Sequence, residues 1–303
     1  MIYDKEHTSP PLSRKEEFGR KFIKPYDSPL IINSEEYNKV VSKLRSFFSE
    51  KGFLEVSTQN RLSILAACED PFNVACFKYA NNTWPLPQTG QMWLEYELLK
   101  NPEAKGFYCI TTSYRMEETP VEGRHDIIFP LFEFEMRGDM EELIHMEEDL
   151  LKHLGYSPKE FMRDKYKNIA RYLNTQELEH EHETKLYLDH SPTYFITDFP
   201  EFTDPFWNMK RTNLDHTAKK VDVILSGQET IGSAERETDR ETMRLRFETI
   251  MDGAYRAKLY ELFGEERTNA ELDDYLNFNF FERCGGGIGV TRLIRSMKME
   301  NLL

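Results

Sequence analysis

Between Ser34 and Phe48 the apolar residues Tyr37, Val40, Val41, Leu44, Phe47 and Phe48 recur at the spacing of one helix face. Ser34 and Glu35 are placed to start that helix and Gly52 to end it. Phe53–Val56 then reads as a short strand; turns at Asp70-Pro71 and Asn81-Asn82 flank Phe72–Tyr79. Gln91–Lys100 predicts a helix with Trp93, Leu94 and Leu98 as its apolar positions, and Phe107–Tyr114 predicts a strand. A polar loop with Pro120 and Gly123 leads to Ile127–Met136, where Phe132, Phe134 and Met136 alternate with Glu133 and Glu135. That period of two belongs to a strand whose faces meet different surroundings, so the pair is expected to be antiparallel and joined by a long loop. Met140–Leu154 predicts a helix through Leu143, Met146, Leu150, Leu151 and Leu154. Residues 157–192 read as charged and helical, closing near Ser191-Pro192. Tyr194–Thr197 and Val221–Leu225 read as strands, with another starting at Thr230-Ile231; Glu237–Phe263 reads as helix. The stretch from Gly285 to Met297 predicts a Gly-rich turn feeding a helix. Residues 1–33 are polar and aperiodic, an expected N-terminal arm, and 34–303 form one expected α+β domain with an antiparallel sheet and segregated helices.

Composition narrows the function classes. The chain has 303 residues, 39% hydrophobic and 30% charged, with a net charge of −14 and no long Lys/Arg run. Tight, extended binding to a nucleic acid relies on neutralising phosphates with Lys and Arg, so that class is disfavoured. Cys68, Cys76, Cys109 and Cys284 show no paired or metal-ligand spacing, and read as reduced thiols. No stretch approaches the ~18 apolar residues of a membrane span, and the N-terminus lacks a signal-peptide pattern. The expectation is a cytoplasmic protein with no membrane partner.

Three constellations carry candidate chemistry. The first is Tyr114-Arg115-Met116-Glu117, followed by Arg124-His125 and Phe129. An arginine at a strand end can hold an α-phosphate bidentately, a basic pair suits the outer phosphates, and a Phe offers a stacking face to a purine. A charged hairpin loop would have the same composition. The second is Asp222 and Glu229, flanking Ser226-Gly227. Two converging carboxylates can hold Mg²⁺ on a polyphosphate, although the chain has 53 acids and most must be solvated. The third is Gly285-Gly286-Gly287-Ile288-Gly289 before Thr291-Arg292, where small residues allow close ligand approach and an arginine opens a helix. Glu179-His-Glu-His-Glu183 has a metal-like composition but reads as a solvated helix face; Cys109 reads as core, and His145 and His153 as surface.

In this order and spacing the constellations resemble motif 2, the metal-binding acids and motif 3 of class II aminoacyl-tRNA synthetases, nearest to the Asp/Asn/Lys branch. Arg115-Met-Glu117 resembles its FRxE, Arg124-His125 its loop pair, and Gly287-Ile-Gly-Val-Thr-Arg292 its GxGxxR. Thr89-Gly-Gln-Met-Trp-Leu-Glu95 resembles the SGQLYLE of asparaginyl-tRNA synthetases, and Gly227–Glu237 their GxGEIIGGSQRE. The resemblance runs from about Tyr37 to the end. It implies a six- to seven-stranded antiparallel sheet, ATP and Mg²⁺ as cofactors, and activation of an amino acid as its adenylate. Arg115 would contact the α-phosphate, Phe129 and Arg292 would sandwich adenine, and Glu117, Arg124, His125 and Gly289 would complete the ATP site. Arg115 and Arg292 would be the catalytic cations, Asp222 and Glu229 the metal ligands. Gln91 and Arg236 would read the substrate, with Arg236 balanced by the substrate or by a protein acid such as Glu235 or Glu237. A homodimer through about Val40–Val56 is implied.

The sequence also departs from that family. Gln59 replaces the motif 1 proline, Ile128 a motif 2 Glu, and Glu282-Arg283-Cys284 a Pro-His-small triplet. Leu94 stands where aspartate-specific members and asparagine synthetase-like paralogues carry a lysine. Members that charge tRNA carry an N-terminal anticodon-binding barrel, whereas about 35 residues precede the resemblance here, so activation without anticodon recognition is expected. Three functions stay open: an asparagine synthetase-like ligase passing an activated acid to ammonia; transfer to a protein, small-molecule or tRNA acceptor; and a catalytically silent paralogue that binds an amino acid or a partner. Retention of Arg115, Glu117, Asp222, Glu229 and Arg292 favours an active enzyme.

Overall fold

The computed structural model describes residues 32–59, 62–65, 71–116, 126–212 and 216–303. The elements in chain order are α1 (Ser34–Glu50), β1 (Leu54–Glu55), β2 (Cys76–Tyr79), β3 (Asn82–Pro85), α2 (Gln91–Lys100), β4 (Gly106–Tyr114) and β5 (Ile128–Arg137). They continue with α3 (Met140–Leu154), β6 (Phe161–Lys165), α4 (Tyr166–Leu173), α5 (His180–Asp189), β7 (Thr193–Phe199), β8 (Ala218–Leu225) and β9 (Gln228–Glu235). The last are α6 (Arg240–Thr249), α7 (Ala254–Phe263), α8 (Glu265–Leu276), β10 (Arg283–Gly289) and α9 (Val290–Met299).

Among the described residues one sheet has eight strands in the order β1-β4-β5-β10-β9-β8-β7-β6, and β2-β3 form a separate hairpin. The six central strands pair antiparallel, while β1 and β6 join the two edges in parallel. The α+β class expected from the pattern therefore holds, with one or two strands more than expected. The additional strand β6 lies in the charged stretch read as helical, at an edge where its exposed positions need no apolar alternation.

The strand alternation sorts the two faces. Tyr108, Phe132, Phe134, Val221, Val223, Ile231, Cys284 and Ile288 point to one side and pack against the apolar stripes of α1, α3 and α9. Asn33 caps α1 with its side chain, and a full capping box at Asp139 and Glu142 starts α3, which ends at left-handed Gly155. The helix read as one piece over Glu237–Phe263 is broken: Met251, Asp252 and Gly253 all adopt positive φ, separating α6 from α7. The metal-like Glu179–Glu183 run opens α5, where His182 Nδ1 accepts the Glu179 backbone N–H, so His182, one of its two histidines, acts as a cap.

The Gly-rich segment is a central strand rather than a turn. β10 lies between β5 and β9 with Gly285 facing Glu135 and Ala234, and Gly287 facing Glu133 and Gly232. A methyl at Gly285 would strike the Glu135 carboxylate, and one at Gly286 would strike Ser233. Here glycine supplies space above and below the sheet, not a turn conformation.

Candidate active site

The face opposite α1, α3 and α9 carries a cavity of about 530 Å³. Register builds its floor in transverse rows. One row runs Glu133, Gly287, Gly232, Asp222 across β5, β10, β9 and β8; the next runs Glu135, Gly285, Ala234, Lys220. Charged groups therefore stand at both sides of a floor whose middle carries at most a methyl group. Around the floor the lining takes Arg115, Asp126 and Phe129 from the ends of β4 and β5, Thr291 and Arg292 from the first turn of α9, and Met209, Ile250, Met251 and Tyr255 from the segments before β8 and around the α6–α7 break.

Arg115 continues from β4, its backbone N–H donating to the Ile127 carbonyl (2.8 Å), and its guanidinium lies 5.4 Å from the Phe129 ring centre. Arg292 leaves the first turn of α9 and donates through Nη1 to the Glu229 carbonyl (2.8 Å), which fixes its plane against β9. Thr291 donates to Asp126 (3.2 Å), tying that helix start to the β5 approach. Gly289 keeps an ordinary φ of −68° and lies beside the Arg292 side chain, which a Cβ there would touch at ordinary contact distance. Glu117, Arg124 and His125 lie outside the described residues, as does Cys68.

Asp222 and Glu229 converge for a specific reason. In a regular hairpin, residues 222 and 229 would face opposite sides, because Asp222 pairs with Gly232, three residues from Glu229. A bulge between Val223 and Ile224 shifts the register and returns Glu229 to the face of Asp222. The tight turn at Ser226 (φ 48°) and Gly227 (φ 79°) holds that register. A Cβ on Gly232 would lie 3.0 Å from Glu229 Oε1 and 3.7 Å from Asp222 Oδ1, so both carboxylates overhang one glycine. Asp222 Oδ1 is buried without a hydrogen-bond partner among the described residues. Burial first, then Glu229 and Glu183, push the Asp222 carboxyl up to about 7, against the opposing pull of Lys220. An orphaned, proton-hungry oxygen beside a second carboxylate fits a hard divalent cation. Among the described residues no group of three or more metal-ligating side chains forms.

At the far end of the floor lies a buried ionic network. Arg236 is 1% exposed and bonds Glu135 through Nε (3.2 Å) and Nη2 (3.1 Å), with Glu95 3.5 Å away. Its partners are thus Glu135 and Glu95, not the neighbouring acids expected from sequence: Glu235 pairs with Lys210 and Lys219, and Glu237 with Arg246. Glu95 is fully engaged, accepting from Asn208 (2.8 Å), Tyr275 (2.6 Å) and Arg283 (2.9 Å). Although burial works against it, Arg283 and Arg236 hold the Glu95 carboxyl below its usual range. Burial raises Glu135 to about 7 despite Arg236. Gln91 donates to the Phe134 carbonyl (3.1 Å) and to Glu135. It is held there by Glu133, which accepts the Gly90 N–H (2.8 Å) and the hydroxyls of Thr111 (2.6 Å) and Thr89 at the start of α2. Arg236 Nη1 has no hydrogen-bond partner among the described residues, and the side chain lines the cavity.

Leu94 is absent from this lining. It is fully buried with Leu98, Phe107 and Cys109 between α2 and β4, so a lysine at this position would enter an apolar cluster. The cations of the floor are Arg236 and Lys220, the second unmarked by any motif. Its only sequence signal is its place two residues before Asp222 on a strand, which puts both on one face.

A family model described as tRNA synthetases class II (D, K and N) matches residues 32–301. The chain belongs to this family. Its fold is shared with asparaginyl-tRNA synthetase from Pyrococcus horikoshii complexed with asparaginyl-adenylate, at 18% identity and a TM-score of 0.70, covering 92% of this chain and 65% of that one. The Entamoeba histolytica asparaginyl-tRNA synthetase in complex with asparaginyl-adenylate gives 16% identity and 0.73, with 99% and 70% covered. A putative aspartyl-tRNA synthetase from Leishmania major Friedlin gives 15% and 0.69, with 86% and 61% covered. This class II synthetase chain thus spans about 65% of the length of the P. horikoshii enzyme. Comparison with curated protein sequences finds no match. No helix among the described residues is long and apolar enough to cross a membrane.

Proposed function

We propose that the chain uses ATP and Mg²⁺ to activate an aspartate- or asparagine-like amino acid as its adenylate and passes it to a small amine such as ammonia. The observation that carries this reading is the convergence, in one cavity, of Arg115, Phe129 and Arg292 with Glu229 and Arg236, and with Asp222 beside Glu229. A binding module has no use for two carboxylates brought together by a bulge.

In this reading the adenine lies between the Phe129 ring and the Arg292 plane, and Arg115 takes the α-phosphate, with Glu117, Arg124, His125 and Gly289 completing the ATP site. Gln91 and Arg236 orient the amino acid so that a carboxylate oxygen attacks the α-phosphorus in line with departing pyrophosphate. The Arg115 guanidinium offsets the charge that builds on the α-phosphoryl oxygens. Asp222 and Glu229 would hold a divalent cation, which supplies charge neutralisation for the leaving pyrophosphate. The amine nitrogen then attacks the acyl carbon, the bond to the phosphate oxygen breaks, and AMP leaves. The net charge of −14 supports a small acceptor over an extended nucleic-acid surface. A homodimer through α1 and β1 is part of the proposal, supported by Leu54, exposed on an edge strand.

The test is ATP–pyrophosphate exchange across the amino acids, followed by addition of ammonium to any that exchange. Exchange with aspartate or asparagine is the expected result. Exchange with no amino acid would overturn the proposal.

A further inference from the structure

Lys220 precedes Asp222 by two residues on β8, so both side chains leave the strand on the cavity face. Its ammonium sits 2.7 Å from the Asp222 carboxylate and 4.1 Å from the centre of the Phe199 ring, and its side chain remains about a quarter exposed, at 24%. It lies on the very carboxylate whose other oxygen, Oδ1, has no hydrogen-bond partner among the described residues and lies near Gly232 together with Glu229. A divalent cation on that oxygen would share the carboxylate with Lys220. Two like charges at that range repel strongly in a half-buried site. The lysine stem is flexible enough to turn its head elsewhere.

The floor shows where it would turn. Across the sheet from Lys220 stand Ala234, Gly285 and Glu135 in one row. Arg236 follows Ala234 by two residues on the same face and reaches over this row to Glu135, with Nη1 left without a hydrogen-bond partner among the described residues. A methyl and a hydrogen are all that the two middle residues raise between the lysine and the guanidinium. That gap suits a small anion held from both ends.

We propose that Lys220 is a two-position cation: it neutralises Asp222 in the metal-free chain, and turns toward Arg236 to take the side-chain carboxylate of an acidic amino acid once a divalent cation occupies Asp222 and Glu229. The inference rests on the adenylation reading and adds to it a specificity residue outside the family motifs. It makes metal and acidic substrate reinforce each other's binding, by the same factor in both directions.

Calorimetric titrations of the full chain with aspartate, with asparagine and with Mg²⁺ test it without any turnover. In the unaltered chain, saturating Mg²⁺ should tighten aspartate about fivefold or more and leave asparagine unchanged. Lys220→Met should bind Mg²⁺ at least as tightly, having lost the competing ammonium, yet bind aspartate weakly and without regard to Mg²⁺. Lys220→Arg keeps the charge and should keep part of the coupling, which separates lost charge from lost packing. Equal coupling in the unaltered chain and Lys220→Met would overturn the inference, as would loss of Mg²⁺ binding in a Lys220→Met variant of unchanged melting temperature. The underlying reading fails separately, through the absence of pyrophosphate exchange with every amino acid. Exchange with an apolar amino acid but not with aspartate would leave adenylation standing and overturn the role of Lys220.

Discussion

Glu147 sits on the buried face of α3, fully enclosed, and neither carboxylate oxygen has a hydrogen-bond partner among the described residues. Ser233 lies beside it, but that hydroxyl is committed to the Val221 carbonyl (3.3 Å). Burial raises the carboxyl from an ordinary 4.5 to about 8, with Asp222 across the sheet adding to the effect. The native state thus keeps a proton that the unfolded chain has already lost throughout that interval. A state that binds the extra proton gains from acidity, so this group makes folding weaker as pH rises from about 4.5 to about 8. At ~1.4 kcal/mol per pKa unit the full loss is on the order of 3–5 kcal/mol. Glu147→Gln removes the titration while keeping the shape of the protonated acid. Urea unfolding near pH 5 and near pH 9 should show the variant close to the parent in acid and more stable by roughly 2–4 kcal/mol in base. The same dependence on pH in both proteins would refute the reasoning and place an ionised, solvated carboxylate at this position.

Arg292→Ala should lose about 3–4 kcal/mol of transition-state stabilisation in the exchange reaction, and Arg292→Lys should not restore it, because an ammonium has no plane to stack; full exchange in either would remove Arg292 from the site. Asp222→Asn and Glu229→Gln should each raise the Mg²⁺ concentration that supports half-maximal exchange, with the fold intact by circular dichroism, since amides are poor ligands for a hard cation. Leu94→Lys should destabilise the chain by roughly 3–5 kcal/mol in denaturant unfolding rather than turn its preference toward aspartate, because the new ammonium would lie among Leu98, Phe107 and Cys109.

Elements with a strong period were legible in the sequence. The helix at Met140–Leu154 has the bounds expected from its leucines, and the β4–β5 pair follows the Phe/Glu alternation. β10 was not legible, because a run of glycines carries no alternation and reads as a turn; what makes it a strand is the crowding by Glu135 and Ser233 on its two faces. In the site, motif spacing located Arg115, Phe129, Asp222, Glu229, Arg236 and Arg292, and the cavity gathers five of these in its lining with Asp222 beside Glu229. The bulge that aligns the two acids was hidden, since a separation of seven residues does not state which of them lies outside the ladder. The partners of Arg236 were hidden too: Glu135 and Glu95 come from elements more than a hundred residues away, 101 in the case of Glu135, and nothing in the local sequence around Arg236 points to them. Lys220 escaped for the opposite reason, as one lysine on a strand among 39 basic residues, given meaning only by the row in which it stands.

The central claim, that a carboxylate is activated through an acyl-adenylate, is tested most directly by the fate of its oxygen. The chain would be incubated with ATP, Mg²⁺, ammonium and aspartate whose carboxylates carry heavy oxygen, and the nucleotide products examined by mass spectrometry. Attack of a carboxylate oxygen on the α-phosphorus, followed by acyl transfer, leaves that oxygen on the phosphate, so one heavy atom should appear in each AMP released. Unlabelled AMP, or release of ADP with the label in inorganic phosphate, would contradict the account.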